Sequence, residues 1–221
     1  IALYSKALAG VSGDLYDFYF TNKNKLAGLG IFDVSGHGIA SGLVTMLVKN
    51  IITQEFEKGK NKKLSEIVGH INNRVLKEKG NIENYLTGIL CRLEKNSIEL
   101  VNAGHPFPLF YNASTKEINN LDNHSQTRCG VIGISGLPAV YESFSLEITS
   151  GDEILFFTDG ITEANNENKI AFGKTGLLDS FTKNISKDIN AQIESLIEDL
   201  HDFVGNEKIN DDVSILILRR K

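Results

Sequence analysis

The apolar residues along this chain change their spacing several times, and each change marks an element. Asp14 to Phe20 (DLYDFYF) and Leu26 to Val34 (LAGLGIFDV) are short, rich in aromatic and β-branched residues, and separated by the turn-like TNKNK. That combination predicts a hairpin. Past Gly36 and Gly38 the period lengthens. Ile39, Leu43, Leu47 and Ile51 recur every fourth residue, with Val44, Val48 and Ile52 beside them, as one face of a helix requires. The Lys/Gly/Asn-rich EKGKNKK ends this helix, and a second follows with Leu64, Ile67, Val68, Ile71, Val75 and Leu76 on its apolar stripe.

Strand patterning returns in YLTGILCRLE, SIELVNAG, PLFYNA, VIGI, YESFSLEI and EILFFTD; helical patterning recurs from Gly176 to Lys183 and from Ile189 to Phe203. The chain closes on the strand-like DVSILILRR. Strands outnumber helices, and the helices come in two groups instead of alternating with strands. This order predicts an α+β fold: two antiparallel β-sheets in a central sandwich flanked by helix pairs, in α-β-β-α layers. No repeat, low-complexity tract or linker divides the sequence, so one domain over residues 1–221 is expected. The chain begins on Ile within an apolar run, which reads as the C-terminal fragment of a longer regulatory protein.

Composition narrows the function classes. Hydrophobic residues make up 41% and charged residues 23%, enough for a buried core. The net charge of -5 and the lack of a basic stripe argue against a general nucleic-acid binder. Cys91 and Cys129 lie far apart without metal-ligand spacing, so neither a disulfide framework nor a zinc site is expected. They read as small core residues. No apolar run approaches the length of a membrane span. The expected location is cytoplasmic, or a cytoplasmic domain of a membrane-anchored parent.

Candidate chemistry lies in four aspartates at strand ends. Asp14 begins a predicted strand behind Gly13, and Asp33 ends LGIF and leads into VSGHG. Asp159 ends EILFFT ahead of Gly160, and Asp211 stands just before VSILIL. At such places the backbone is held rigidly while the side chain reaches outward, as a metal scaffold needs. Carboxylates are hard donors suited to Mg²⁺ or Mn²⁺, and paired ions could activate a shared water and clamp phosphoryl oxygens. Aspartate at a strand end is also an ordinary turn residue, and spacing alone does not show that the four converge.

The segments SGDLYD (Ser12 to Asp17), FDVSGHGIAS (Phe32 to Ser41), NAGHPFPLF (Asn102 to Phe110), FTDGITEA (Phe157 to Ala164) and NDDVSILIL (Asn210 to Leu218) occur in this order. Together they resemble the SpoIIE/RsbU branch of the PPM, or type 2C-like, protein serine/threonine phosphatases, over almost the whole chain. The resemblance implies a β-sandwich flanked by helices with two Mn²⁺ or Mg²⁺ ions. It implies Asp14 as the first metal aspartate, Asp33 as the bridging one with the Val34 backbone carbonyl beside it, and Asp159 and Asp211 as the remaining metal carboxylates. Asp17 would assist near the metals, and Asp212 and Glu163 would support the site without touching an ion. The implied reaction is hydrolysis of a phosphoserine or phosphothreonine ester by a metal-activated water, with no phospho-enzyme. The implied substrate is a phosphorylated STAS-type anti-sigma-factor antagonist in partner-switching signalling. A regulatory domain in the same longer chain is expected as partner, with homodimerisation left open.

The sequence departs from the family pattern in two places. Ser12 stands where the usual opening is GGD. Eukaryotic relatives carry a His two residues after the bridging aspartate and an Arg near the first motif; here Ser35 takes the former position and no Arg lies near Asp14. The general acid is thus unassigned, with His37 the weak candidate, and His105 in GHPFP reads as a structural turn residue. Chemistries with a protein nucleophile find no support. Neither cysteine is followed six residues later by Arg, Asp159 lacks an Asp two residues on, and no GxSxG elbow occurs. The competing readings are a catalytically weak or inactive binding module of the same fold, and an enzyme acting on a small phosphorylated metabolite. The retention of all four aspartates favours the protein phosphatase.

Overall fold

A computed structural model describes residues 1–36, 38–124, 130–136 and 139–221. His37 and Cys129 therefore lie outside the described residues. The elements run β1 (Ala2–Lys6), β2 (Asp14–Phe20), β3 (Leu26–Val34), α1 (Ile39–Lys58), α2 (Leu64–Lys79), β4 (Leu86–Leu93), β5 (Ser97–Ala103), β6 (Leu109–Asn112), β7 (Glu117–Asn120), β8 (Ser143–Glu147), β9 (Glu153–Phe157), α3 (Asp159–Thr162), α4 (Gly173–Asn184), α5 (Ile189–Val204) and β10 (Val213–Arg219). The class is α+β, with two antiparallel sheets of five strands. They belong to two compact units. The β10 unit comprises Ile1–Gly10, Pro106–Asp122 and Thr149–Lys221; the β2 unit comprises Val11–His105 and Asn123–Ile148.

In the β2 unit the strand order is β2-β3-β4-β5-β8. Its core joins Leu15, Phe32, Val34, Leu86, Leu90 and Val101 of the sheet to the inward faces of α1 and α2. Each of these buried side chains contributes about 1.5–3 kcal/mol of transfer free energy. The α2 stripe is as expected, with Leu64, Ile67, Val68, Ile71 and Val75 at or below 1% exposure. The start of α2 is tied to the sheet where Leu64 N donates to Glu99 Oε1 at 3.3 Å. The α1 stripe is as expected only in part. The buried face runs through Val44, Val48, Ile51, Ile52 and Phe56, while Ile39 is 75% and Leu43 64% exposed. Apolar residues lie on both sides of this helix, so periodicity alone does not select the inward face.

In the β10 unit the order is β1-β10-β9-β6-β7. Leu155, Phe157, Ile215 and Ile217 of the sheet pack with Leu177 and Phe181 of α4 and Leu196 and Leu200 of α5. α5 is held at its start by Asp188, whose side chain accepts from Asn190 N at 3.0 Å, and it ends at Gly205. β1, β7 and the short α3 carry too little periodicity to be read from sequence. Conversely, the strand expected at VIGI reduces to a single bridge between Ile132 and Leu86. Cys91 is fully buried, and burial pushes its thiol well up. Among the described residues no helix is long and apolar enough to cross a membrane.

Candidate active site

In the β2 unit the first two aspartates meet through strand register. Asp14 opens β2 and stands directly opposite Asp33 of β3, so the two side chains share one face of the sheet. Asp33 is flanked on its other side by Thr87 of β4, whose Oγ1 lies 2.9 Å from His105 Nδ1. Like charges directly opposite in a ladder repel, an arrangement suited to a cation.

The backbone around this pair is held at several points. A Cβ at Gly13 would fall 2.9 Å from the Val34 carbonyl oxygen, so glycine is what permits this close approach. Thr45 Oγ1 of α1 donates toward Gly13 O at 3.1 Å and Ser41 O at 3.0 Å, two acceptors for one hydrogen. Beyond Val34, Ser35 N donates to Tyr85 O (2.8 Å) and Ser35 Oγ accepts from Tyr85 N (3.0 Å). Ser12 contributes as well, since its Oγ accepts from Asp14 N at 3.1 Å.

Asp17 is engaged elsewhere. Three residues along a strand from Asp14, it points to the opposite face. There Thr53 Oγ1 of α1 donates to its carboxylate at 3.2 Å, and Lys49 Nζ lies 4.0 Å away. It thus braces α1 against β2. His105 is a buried turn residue, as expected: its N donates to Asn102 Oδ1 (2.8 Å) and Asn102 Nδ2 donates back to His105 O (2.9 Å).

In the β10 unit Asp159 is the first residue of α3, directly beyond β9, and Asp211 lies just before β10. The exit of β9 and the entry of β10 are joined in both directions. Thr158 N donates to Ser214 O (3.0 Å), and Ser214 N donates to Thr158 Oγ1 (2.9 Å). A Cβ at Gly160 would sit 2.0 Å from the Asp212 carbonyl oxygen and 3.3 Å from Asp211 Cβ, so only glycine lets α3 lie this close to the 211–212 segment. Asp212 is buried, and its carboxylate accepts from Leu8 N at 2.6 Å, anchoring the residues after β1. Burial, followed by the charges of Glu163 and Asp211, raises the Asp159 carboxyl above its ordinary value, with backbone N–H groups opposing. This is a pocket of negative potential of the kind a cation relieves.

Each unit therefore brings two of the expected metal aspartates near each other. Among the described residues, no group of three or more His, Cys, Asp or Glu side chains stands ready to hold a metal ion. Sequence reasoning misses Thr87, Thr158 and Ser214. Their hydrogen bonds join residues beside the carboxylates to segments distant in sequence, and no local pattern announces such bonds.

A family model described as Stage II sporulation protein E (SpoIIE) matches residues 23–221. The chain belongs to the SpoIIE family. Within it, the chain falls in the SpoIIE/RsbU branch of the PPM phosphatases that its motifs resemble. It is 28% identical over 164 residues to the phosphoserine phosphatase RsbP of Bacillus subtilis, covering 72% of this chain and 39% of that protein. It is 24% identical over 218 residues to the phosphoserine phosphatase RsbU of the same organism, covering 96% of this chain and 60% of that one. The SpoIIE-family chain thus spans less than two thirds of either relative.

Among solved structures it is similar to the SiaA-PP2C domain of Pseudomonas aeruginosa, with a TM-score of 0.85 at 19% identity, covering 99% of this chain and 85% of that one. It is also similar to the catalytic domain of the serine/threonine phosphatase PstP in complex with two manganese ions, with a TM-score of 0.66 at 14% identity, covering 98% and 95%. At these identities the structural likeness speaks for the fold.

Proposed function

We propose that this chain is a metal-dependent phosphoserine/phosphothreonine protein phosphatase. The observation that carries the reading is the register of Asp14 against Asp33, two carboxylates facing each other at the positions of the family's metal motifs. The ligands in this reading are Asp14, Asp33, the Val34 backbone carbonyl, Asp159 and Asp211, holding two Mn²⁺ or Mg²⁺ ions. The residues fit such ions. All donors are hard oxygens, Gly13 keeps the Val34 carbonyl region open to close approach, and the raised Asp159 carboxyl lies where negative charge accumulates. When bound, the cations would acidify a water and withdraw charge from phosphoryl oxygens. The protein's share is positioning: strand ends fix the carboxylates, and Thr158, Ser35 and Tyr85 keep the adjoining backbone from relaxing.

The substrate in this reading is a phosphorylated STAS-type anti-sigma-factor antagonist, in line with the phosphoserine phosphatases RsbU and RsbP among its relatives. The partner is a regulatory domain of a longer chain, and the setting is cytoplasmic. The test is Mn²⁺-dependent release of phosphate from p-nitrophenyl phosphate and from a phospho-STAS protein. Turnover that persists in chelator and in Asp33→Ala and Asp159→Ala variants would overturn the proposal. Turnover of the small ester with no phosphoprotein accepted would shift the substrate class to a phosphorylated metabolite.

A further inference from the structure

The end of β2 opposite Asp14 carries a different kind of site. The turn between β2 and β3 is firmly built: Thr21 N donates to Lys25 O at 2.8 Å, Asn24 N donates to Thr21 O at 2.9 Å, and Thr21 Oγ1 accepts from Lys23 N at 3.3 Å and Lys25 N at 3.2 Å. A register shift between Tyr19 and Phe20 interrupts the regular pairing of β2 with β3, so that Phe20 pairs with Leu26 and is 53% exposed. Bounded by this turn, the C-terminal part of α1 and the far end of β4 is a cavity of about 550 Å³, wholly within the β2 unit.

Its two kinds of lining are segregated. The floor is aromatic and aliphatic, with Tyr19 stacked on Phe56 at 4.3 Å between ring centroids and Ala27 and Leu93 beside them. Gly28 leaves room for the Phe56 ring, which a Cβ there would meet at 2.4 Å. The rim carries Lys23, Lys25 and Lys60, all exposed, and among the described residues none of these ammonium groups makes an ion pair. Arg92 is committed to Glu99 and to the carbonyls of Lys62 and Gly59, and Glu57 is the acidic member of the lining.

We infer that this cavity is a binding site for a small amphipathic anion. An aromatic or acyl body would lie on the Tyr19–Phe56 floor, and one carboxylate, phosphate or sulfonate group would be held by Lys23, Lys25 and Lys60. The volume falls within the range of about 300–1,000 Å³ typical of small-molecule sites, and an apolar floor with a few convergent polar groups is their usual make-up. Three cations against the one carboxylate of Glu57 leave the lining net positive and concentrate anions there. Lysines in exposed turns also serve solubility alone. That role asks for no saturable site, so the two are separable.

The experiment titrates the protein with anilinonaphthalenesulfonate, an aromatic anion, and with the neutral N-phenylnaphthylamine, following fluorescence. Saturable binding is expected for both, with the anion at least about tenfold tighter. The triple variant K23E/K25E/K60E, altered only at exposed positions, should lose that advantage while still binding the neutral probe. Ala27→Trp should remove both by filling the floor; its melting curve identifies a loss due to misfolding. Equal affinity for the two probes, or an anion affinity indifferent to the charge reversal, would overturn the assignment. So would binding that follows Leu43→Lys and Met46→Lys on the exposed side of α1. Cosedimentation with phosphatidylglycerol vesicles, lost in the triple variant, without saturable binding of the free anion would replace the free ligand by a membrane surface and also sink it. None of these readouts depends on phosphatase activity.

Discussion

The two units present paired carboxylates by different means. In the β2 unit Asp14 and Asp33 sit inside the ladder, and the inter-strand hydrogen bonds that build the sheet also set their spacing. In the β10 unit Asp159 and Asp211 stand just outside the ladder, at the exit of β9 and the entry of β10. Their approach depends on the Thr158–Ser214 exchange and on the fit of Gly160 against Asp212. A ladder distributes precision over many bonds; a strand-end junction concentrates it in a few. The β10 unit should therefore be the more sensitive of the two to single substitutions near its carboxylates.

The largest effects should come from the carboxylates themselves, which the proposed function draws from each unit. Asp33→Ala and Asp159→Ala should each lower Mn²⁺-dependent phosphate release by more than about 100-fold, above what loss of a supporting contact costs. Full activity in one and none in the other would assign the chemistry to a single unit. The next contrast separates the units. Gly160→Ala places a Cβ 2.0 Å from a backbone oxygen, whereas Gly13→Ala meets one at 2.9 Å. Overpacking of this kind costs about 1–3 kcal/mol. Gly160→Ala should stand at the upper end of that range or above it, and Gly13→Ala at the lower end, in urea denaturation. The reverse order would refute the picture of a more brittle β10 junction.

Thr158→Val tests the same junction without added bulk. It removes the acceptor of the buried Ser214 N–H, and an orphaned buried donor costs about 1–3 kcal/mol. The matching change in the β2 unit, Ser35→Ala, removes the acceptor of Tyr85 N, which lies in a more exposed segment and should cost less. Thermal or urea melts of the two variants compare them directly.

The Asp159 carboxyl offers a smaller, signed effect. Its folded value is raised above the ordinary one by burial first and then by Glu163 and Asp211. The folded state therefore holds the proton more tightly than the unfolded chain. Its contribution to stability is greatest below the ordinary carboxylate value and declines as pH rises through the raised one. Asp159→Asn should accordingly raise the Tm of chelator-treated protein near neutral pH. It should also weaken the stabilisation that Mn²⁺ gives the unsubstituted chain, because a cation binds the charged form. A lower Tm in chelator would show that the carboxylate is not under the repulsion inferred.

Much of this is legible in the sequence. The β2–β3 hairpin, both helix pairs and the closing strand follow from hydrophobic period, and the four aspartates follow from their places beside strands and glycines. What escapes has physical reasons. β1 and β7 are too short for alternation to stand out, and VIGI has strand composition but only one bridging partner. The inward face of α1 is misread only near its start, where Ile39 and Leu43 are apolar yet exposed, so composition there does not report burial. Asp17 shares the first motif with Asp14, but the pleat of β2 sends it to α1 instead. Thr158 and Ser214 bond each other across 56 residues, a separation at which only tertiary structure speaks.

The finest test concerns Ser12, which stands where the family's opening motif has glycine. In this chain its hydroxyl accepts from Asp14 N at 3.1 Å, so the serine supports the first aspartate from the side chain, where glycine would leave the same N–H to solvent or backbone. Because that bond is only partly buried, Ser12→Gly should cost no more than about 0.5–1.5 kcal/mol of stability. With Asp14 still locked in register against Asp33, phosphate release should stay within about threefold of the unsubstituted chain, a shift of roughly 0.6 kcal/mol. A loss as large as that of Asp33→Ala would mean that the ladder does not hold Asp14 by itself, and the contrast drawn between the two units would fail at its first residue.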